Sequence, residues 1–195
     1  KTAGTEPHHR ACLERLFGTA LPPRLDDIEL STLYRLASEM AGKMSISGVQ
    51  EKVSLALSPD RTRLQIAATG GRFILKPEPA RYASVPQNEH VTMLMAASVD
   101  IETPPFGLFW LKDGSPAYVI KRFDRLDDGG KLHVEDFCQL SESPLRDKYK
   151  GSGEQCVRIL RKHASEPLIE VRKLFKILLF TWWVANGDHH LKNLS

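Results

Sequence analysis

An aspartate and an asparagine five positions apart, Asp188 and Asn193 in the run Asn186-Gly-Asp-His-His-Leu-Lys-Asn193, have the types and spacing needed to move a phosphoryl group. A carboxylate would orient the attacking hydroxyl and take its proton, while an amide oxygen about a turn away would hold the magnesium that neutralises phosphate charge. Far upstream, Lys76 leaves the β-rich run Arg72-Phe-Ile-Leu and presents an ammonium at a strand end, where it could grip phosphates. Glu89, beside the candidate cap Asn88, could hold that lysine from a helix. Each residue also has a plainer reading: a strand-end lysine is usually solvated, and an acid in the first helical turn suits the macrodipole. Their order along the chain, lysine then helix acid then Asp-x-x-x-x-Asn, favours the chemical reading. His189 and His190 invite a metal, but neighbours in sequence rarely ligate one ion without partners at proper spacing, so no zinc site is expected.

The elements that must carry these groups follow from periodicity. Ile28, Leu30, Leu33, Leu36, Ala37 and Met40 recur at helical spacing behind Pro22-Pro23, which predicts a leading helix over residues 26–40, ended by Gly42. The run Ser45-Ile-Ser-Gly-Val-Gln-Glu-Lys52 is then a flexible loop placed directly before a strand over 53–57. A second strand spans 72–76 and is stopped by Pro77, and residues 88–99 form a helix capped by Asn88 with Glu89 in its first turn. Strands over 106–111 and 117–120 pair as a hairpin across Lys112-Asp-Gly-Ser-Pro116. Asp127-Asp-Gly-Gly130 divides this strand-rich front from a rear of helices over 134–140, 154–162 and 167–184. The last helix is the most apolar, is expected to be buried, and delivers the chain to Asp188.

Composition narrows the class. The chain has 195 residues, 42% hydrophobic and 26% charged, which suits a globular protein able to bury a core. Lysine plus arginine exceed aspartate plus glutamate by 27 to 24, and a net charge of +3 is too small to announce nucleic acid as the main partner. Three widely spaced cysteines, Cys12, Cys138 and Cys156, fit neither a disulfide framework nor a zinc site and point to free thiols in a reducing cytosol. The opening residues lack the apolar core of a signal peptide, and the apolar window over 177–185 is about half of what a bilayer requires.

Lysine at a strand end, helix glutamate and a loop with aspartate and asparagine five apart are the parts that protein kinases use. The strings Ser45-Ile-Ser-Gly-Val-Gln-Glu-Lys52, Asn88-Glu89, Lys121-Arg-Phe-Asp-Arg125, His133-Val-Glu-Asp-Phe-Cys-Gln139 and Asn186-Gly-Asp-His-His-Leu-Lys-Asn193 resemble, in order, signature blocks of HipA-family serine/threonine kinases, the toxins of bacterial toxin–antitoxin systems. The resemblance covers residues 45–195 and implies an α/β (α+β), two-lobed protein-kinase-like fold with a strand-rich N-lobe and a helical C-lobe. It implies ATP and Mg2+ as cofactors, with Asp188 as catalytic base and Asn193 as metal ligand. Ser47, Gly48, Val49, Gln50, Glu51 and Lys52 would form the nucleotide-covering loop, and Lys76 would contact the phosphates. Lys121, Arg122 and Phe123 would be the hinge that meets adenine, while His190, Leu191, Lys192 and Asn193 would complete the phosphate end. Glu89 as partner of Lys76 is carried over from kinases in general. Ser45 matches the position at which the family phosphorylates itself, and the Ser45-Ile-Ser47 pair resembles the HipT subgroup.

The domain expectation is an N-terminal extension with a helix over 1–44, a kinase N-lobe with loop and hinge over 45–125, and the start of a helical C-lobe over 126–195. Family members begin with a further small subdomain and use a second metal-binding aspartate downstream of the asparagine, so the chain is expected to be part of a longer protein with an incomplete C-lobe. The short front resembles HipT, for which a separate small HipS-like protein supplies the missing piece and a DNA-binding HipB-like protein joins. The resemblance further implies a cytoplasmic enzyme that phosphorylates an aminoacyl-tRNA synthetase, tryptophanyl rather than glutamyl. Two other readings stay open: a small-molecule kinase on this fold, and a non-catalytic kinase-like module in a repressor complex.

Overall fold

A computed structural model describes residues 7–19, 23–25, 28–40, 51–67 and 69–195. The chain divides into two compact units, Lys1–Met95 with Thr103–Arg125, and Ala96–Glu102 with Leu126–Ser195.

The first unit is built on an antiparallel sheet in the order β2-β1-β3-β5-β4, from β1 (Val53–Leu57), β2 (Leu64–Ile66), β3 (Phe73–Pro77), β4 (Phe106–Trp110) and β5 (Pro116–Lys121). Strand alternation divides β3 between two faces. Phe73 and Leu75 enter the core with Val53, Leu55, Ala117 and Val119, whereas Ile74 and Lys76 are only partly buried. Two helices, α1 (Pro7–Phe17) and α2 (Leu30–Met40), supply Leu13, Leu16, Phe17 and Leu33 to the same core. A third, α3 (Val85–Ser98), begins in this unit.

The segment expected to hold one helix therefore holds two. In α1 the spacing of Leu13, Leu16 and Phe17 makes one apolar face, and Gly18 at φ +70° ends the helix with its N–H on the Glu14 carbonyl. Phe17 is 1% exposed, with its ring centroid 5.2 Å from Phe73 and 5.8 Å from Phe109. Phe17→Ala is expected to lower unfolding stability by about 3–5 kcal/mol, read as a shift in the urea midpoint at unchanged slope.

Other boundaries moved where particular hydrogen bonds decide them. The helix expected from residue 26 starts at Leu30, whose N–H donates to Asp113 Oδ2 at 3.0 Å, so its cap comes from the distant β4–β5 turn. The strand expected to stop before Pro77 includes it, because β1 pairs with β3 only as far as Leu75 and its ladder needs no N–H at the proline. Strand β2 is too short to show an alternation in the sequence.

The second unit contains α4 (Phe137–Leu140), α5 (Gly153–His163), α6 (Pro167–Trp183) and two 3-10 turns, Leu145–Asp147 and Leu191–Asn193. Helix α4 starts at 137 rather than 134, because Asp136 and Gln139 form a reciprocal capping box. Phe137, Cys138, Cys156, Ile159, Leu174 and Leu191 make its core. The expectation that α6 is buried fails for most of its length. Leu174 is buried, but Leu168 and Trp182 are about four-fifths exposed and Phe175, Leu179 and Trp183 more than half. Among the described residues no helix is long and apolar enough to cross a membrane.

Candidate active site

In the first unit the register Lys76↔Tyr118 sets these side chains next to each other on one face of the sheet. Lys76 Nζ donates to Glu89 Oε1 at 2.5 Å and lies 5.7 Å from the centre of the Tyr118 ring. Glu89 is not where a helix-start acid belongs. Helix α3 begins at Val85, and Asn88 donates its N–H to the Ser84 carbonyl instead of capping, so Glu89 sits in the second turn with no acid in the first. Macrodipole preference does not account for it, and the ion pair does.

Lys52, at the entrance to β1, lies in the same field. Burial and the charge of Lys76 push its ammonium below the usual lysine range, with Glu89 opposing. Lys52 and Lys76 thus stand close enough to feel each other's charge beside Glu89, and a second cation near the Lys76–Glu89 pair is a feature that suits an anionic ligand. Tyr118 is fully buried, and burial followed by the Glu89 charge pushes its phenol far up, so it stays neutral as the floor of the cluster. Glu51 is exposed next to Lys52, whereas Ser45, Ser47, Gly48, Val49 and Gln50 lie outside the described residues.

The Lys121-Arg-Phe-Asp-Arg125 block follows β5. Arg122 grips Asp124 with two bonds, Nε at 2.8 Å and a terminal nitrogen at 2.6 Å, and Arg125 joins the same carboxylate at 2.6 Å. Arg122 foremost thereby holds the Asp124 carboxyl below the usual range, and its guanidinium is committed within the block. Phe123 is left 59% exposed between them, and burial lowers the Lys121 ammonium with help from Arg72 and Arg61.

In the second unit, α6 ends in a Schellman arrangement: Asn186 N–H reaches the Thr181 carbonyl at 2.8 Å and Ala185 N–H the Trp182 carbonyl at 3.1 Å. Ala185 takes the left-handed position at φ +53°, where glycine is favoured. Ala185→Gly should therefore raise stability by about 1 kcal/mol in denaturant titration. The turn is tightened further because Asn186 Oδ1 accepts the Asp188 N–H at 3.1 Å.

Asp188 is thus delivered at the end of a terminated helix, with its side chain 70% exposed. Asn193 Nδ2 donates to the Asp188 carbonyl at 2.6 Å, closing the five-residue interval into one loop. The Asn193 amide nitrogen only donates, one of its two N–H groups making that bond, so the amide oxygen is the atom able to accept or to ligate. Tyr149 donates its hydroxyl to Asp188 Oδ1 at 2.7 Å. That bond is the chief reason the Asp188 carboxyl is held below its ordinary range. His190 is buried, its Nε2 3.6 Å from the same oxygen and its ring 4.8 Å from that of Tyr149. Burial, then His190, lowers the neighbouring His189.

Leu191 enters the core, and Lys192 is tied at 2.7 Å to Asp136 Oδ2. Burial alone would raise the Asp136 carboxyl, but the bonds from Lys192 and from the Gln139 N–H hold it below its usual value. The His133–Gln139 motif therefore works mechanically, since Asp136 caps α4 and fastens Lys192 while Phe137 N–H meets the Leu194 carbonyl at 2.9 Å. Sequence reasoning found that motif without the role it plays, and it missed Tyr118 and Tyr149. The first becomes visible only through strand register, and the second stands 39 residues from Asp188. No group of three or more His, Cys, Asp or Glu side chains suited to a metal occurs among the described residues.

Comparison with known proteins points the same way. The sequence profile of the HipA-like C-terminal domain matches residues 44–195. A Sinorhizobium fredii (strain NBRC 101917 / NGR234) protein named "Putative kinase Y4mE" is 32% identical over 174 residues, covering 85% of this chain and 41% of its own length. A Haemophilus influenzae protein named "Putative kinase" is 30% identical over 165 residues, covering 78% and 47%. The chain thus spans less than half the length of these curated relatives. Among solved structures, a chain of the Shewanella oneidensis MR-1 complex of HipA, HipB and operator DNA superposes with a TM-score of 0.58 and 19% identity, over 99% of this chain and 48% of that one. The fold is that of the HipA kinase-like proteins.

Proposed function

The chain belongs to the HipA-like C-terminal domain family, and from that premise we propose that it is the nucleotide-binding and catalytic-loop part of an ATP-dependent serine/threonine protein kinase, the toxin of a bacterial toxin–antitoxin system. The observation that carries this reading is the 2.5 Å pair between Lys76 and Glu89, with Lys52 close enough to feel both charges. A lysine held by a helix glutamate beside a second cation is an arrangement suited to polyphosphate, and a structural role for Glu89 at a helix start is not available.

Bound ATP and Mg2+ would supply the transferable phosphoryl group and the charge that offsets it. Lys76 and Lys52 would hold phosphate oxygens, with the loop over 45–52 covering the nucleotide and Lys121 to Phe123 forming the hinge against adenine. Asn193 has an amide oxygen to offer the metal, and that hard oxygen donor fits magnesium. Asp188 would accept the proton of the attacking hydroxyl and keep it oriented. His190 to Lys192 set the shape of the loop, with Lys192 acting through Asp136.

The remaining assignments rest on the resemblance. They are the HipT subgroup, self-phosphorylation at Ser45 or Ser47, an aminoacyl-tRNA synthetase as substrate with tryptophanyl preferred, a cytoplasmic setting, and two antitoxin partners, a small HipS-like protein and a DNA-binding HipB-like protein through which alone DNA is reached. The structural relative, a HipA assembled with HipB and operator DNA, supports the HipB-like partner. Full-length protein incubated with γ-labelled ATP, magnesium and purified synthetases is expected to place label on Ser45 or Ser47 and on one synthetase, mapped by mass spectrometry. Absence of transfer to itself or to any protein of a cell extract would favour a non-catalytic binding module, and transfer to a metabolite alone would favour a small-molecule kinase.

A further inference from the structure

We propose that Tyr149 is a positioning residue for Asp188, and that the segment around it is a brace that sets the angle at which this carboxylate meets an acceptor hydroxyl. This rests on the reading of Asp188 as the base.

Asp188 has a short side chain, 70% exposed, on a loop beyond a helix end. Left to solvent, such a carboxylate would sample several rotamers. Tyr149 removes that freedom through its hydroxyl on Oδ1 at 2.7 Å. A carboxylate has two oxygens and about four lone-pair sites, so a donor on Oδ1 leaves capacity for a substrate hydroxyl.

Three further contacts press the Tyr149 segment onto the loop. Leu191 N–H donates to the Lys148 carbonyl at 3.1 Å, a main-chain bond just beyond the buried His190. The Tyr149 ring stands edge-on to His190, 4.8 Å between centroids at 85°, with Lys148 Nζ 4.7 Å from the centre of the Tyr149 ring. Gly151 lies so close to Leu191 that a Cβ there would fall 2.5 Å from Leu191 Cδ2 and 2.6 Å from its Cγ. A main-chain bond, a ring packed on a buried ring and a glycine required by close approach together fix where the Tyr149 hydroxyl points.

Tyr149→Phe keeps the ring on His190 and deletes the hydroxyl. In the full-length protein it should lower kcat about tenfold with KM for ATP unchanged, since misplacing a reacting group costs rate rather than ground-state binding. In an Asp188→Asn background the same change should cost nothing further, because its effect passes through the carboxylate. Independent losses that multiply would overturn the proposal, as would faster transfer by Tyr149→Phe, which would make Tyr149 a plug, or label on Tyr149, which would make it an acceptor. A readout without turnover separates this from the kinase assignment: 3-fluorotyrosine at 149 should shift its fluorine resonance on Asp188→Asn. A shift without any phosphoryl transfer in the parent protein would sink the kinase reading and leave the contact standing. No shift would sink the brace.

Discussion

Asp188→Asn is expected to slow phosphoryl transfer by about 10²–10⁴-fold, the range contributed by a positioned general base, while leaving the protein folded. The substitution keeps size and shape and removes basicity. Its amide oxygen can still accept the Tyr149 hydroxyl, its main-chain N–H still meets Asn186, and its carbonyl still meets Asn193. Since the Asp188 side chain is 70% exposed, no buried charge is stranded or created, and a melting temperature within a few degrees of the parent is expected. ADP release and label transfer measure the rate, and an induced culture measures growth arrest, which should disappear. Arrest retained by a folded Asp188→Asn protein would mean that the carboxylate is not the base.

Lys76→Met should be nearly as damaging and for a different reason. Methionine keeps much of the apolar stem over Tyr118 but removes the ammonium that Glu89 holds at 2.5 Å. Loss of one preorganised charge on a phosphate is expected to lower kcat/KM by about 10²–10³-fold. The pair itself is about a quarter exposed on each side, so it contributes modestly to stability, about 1 kcal/mol or less. Activity should therefore fall far more than the denaturation midpoint. Calorimetry should show weakened ATP binding, and Glu89→Gln should be intermediate, because Lys76 then keeps its charge and loses its orientation. Equal losses of activity and stability in Lys76→Met would instead assign the pair to scaffolding.

Much of the strand and helix content was legible because it depends on neighbours in sequence. The alternation of β1, the turn chemistry of Asp113-Gly114 and the long apolar run of α6 are local patterns, and the elements lie near where those patterns put them. What failed did so where a local capping bond or a distant partner decides and residue type alone does not. Asn88 has the composition of a cap, yet α3 starts three residues earlier. The start of α2 is set by Asp113, 83 residues away. Apolar content suggested a buried α6, but only Leu174 on that helix is buried. Helix α1 buries Leu13, Leu16 and Phe17 out of a segment of low overall hydrophobicity and is explained by the rings of Phe73 and Phe109 that Phe17 meets.

By itself the sequence determined which residues could handle phosphate: the order of Lys76, Glu89, Asp188 and Asn193 is a property of the chain, because side-chain chemistry and spacing within one loop or helix travel with it. Tertiary structure decided which of them are held and by what. Strand register set Tyr118 beneath Lys76, the second turn of α3 brought Glu89 to it, and segments 39 and 56 residues from the loop supplied Tyr149 for Asp188 and Asp136 for Lys192. Such partners are chosen by packing across long stretches of chain, and no local pattern of residue types encodes that choice.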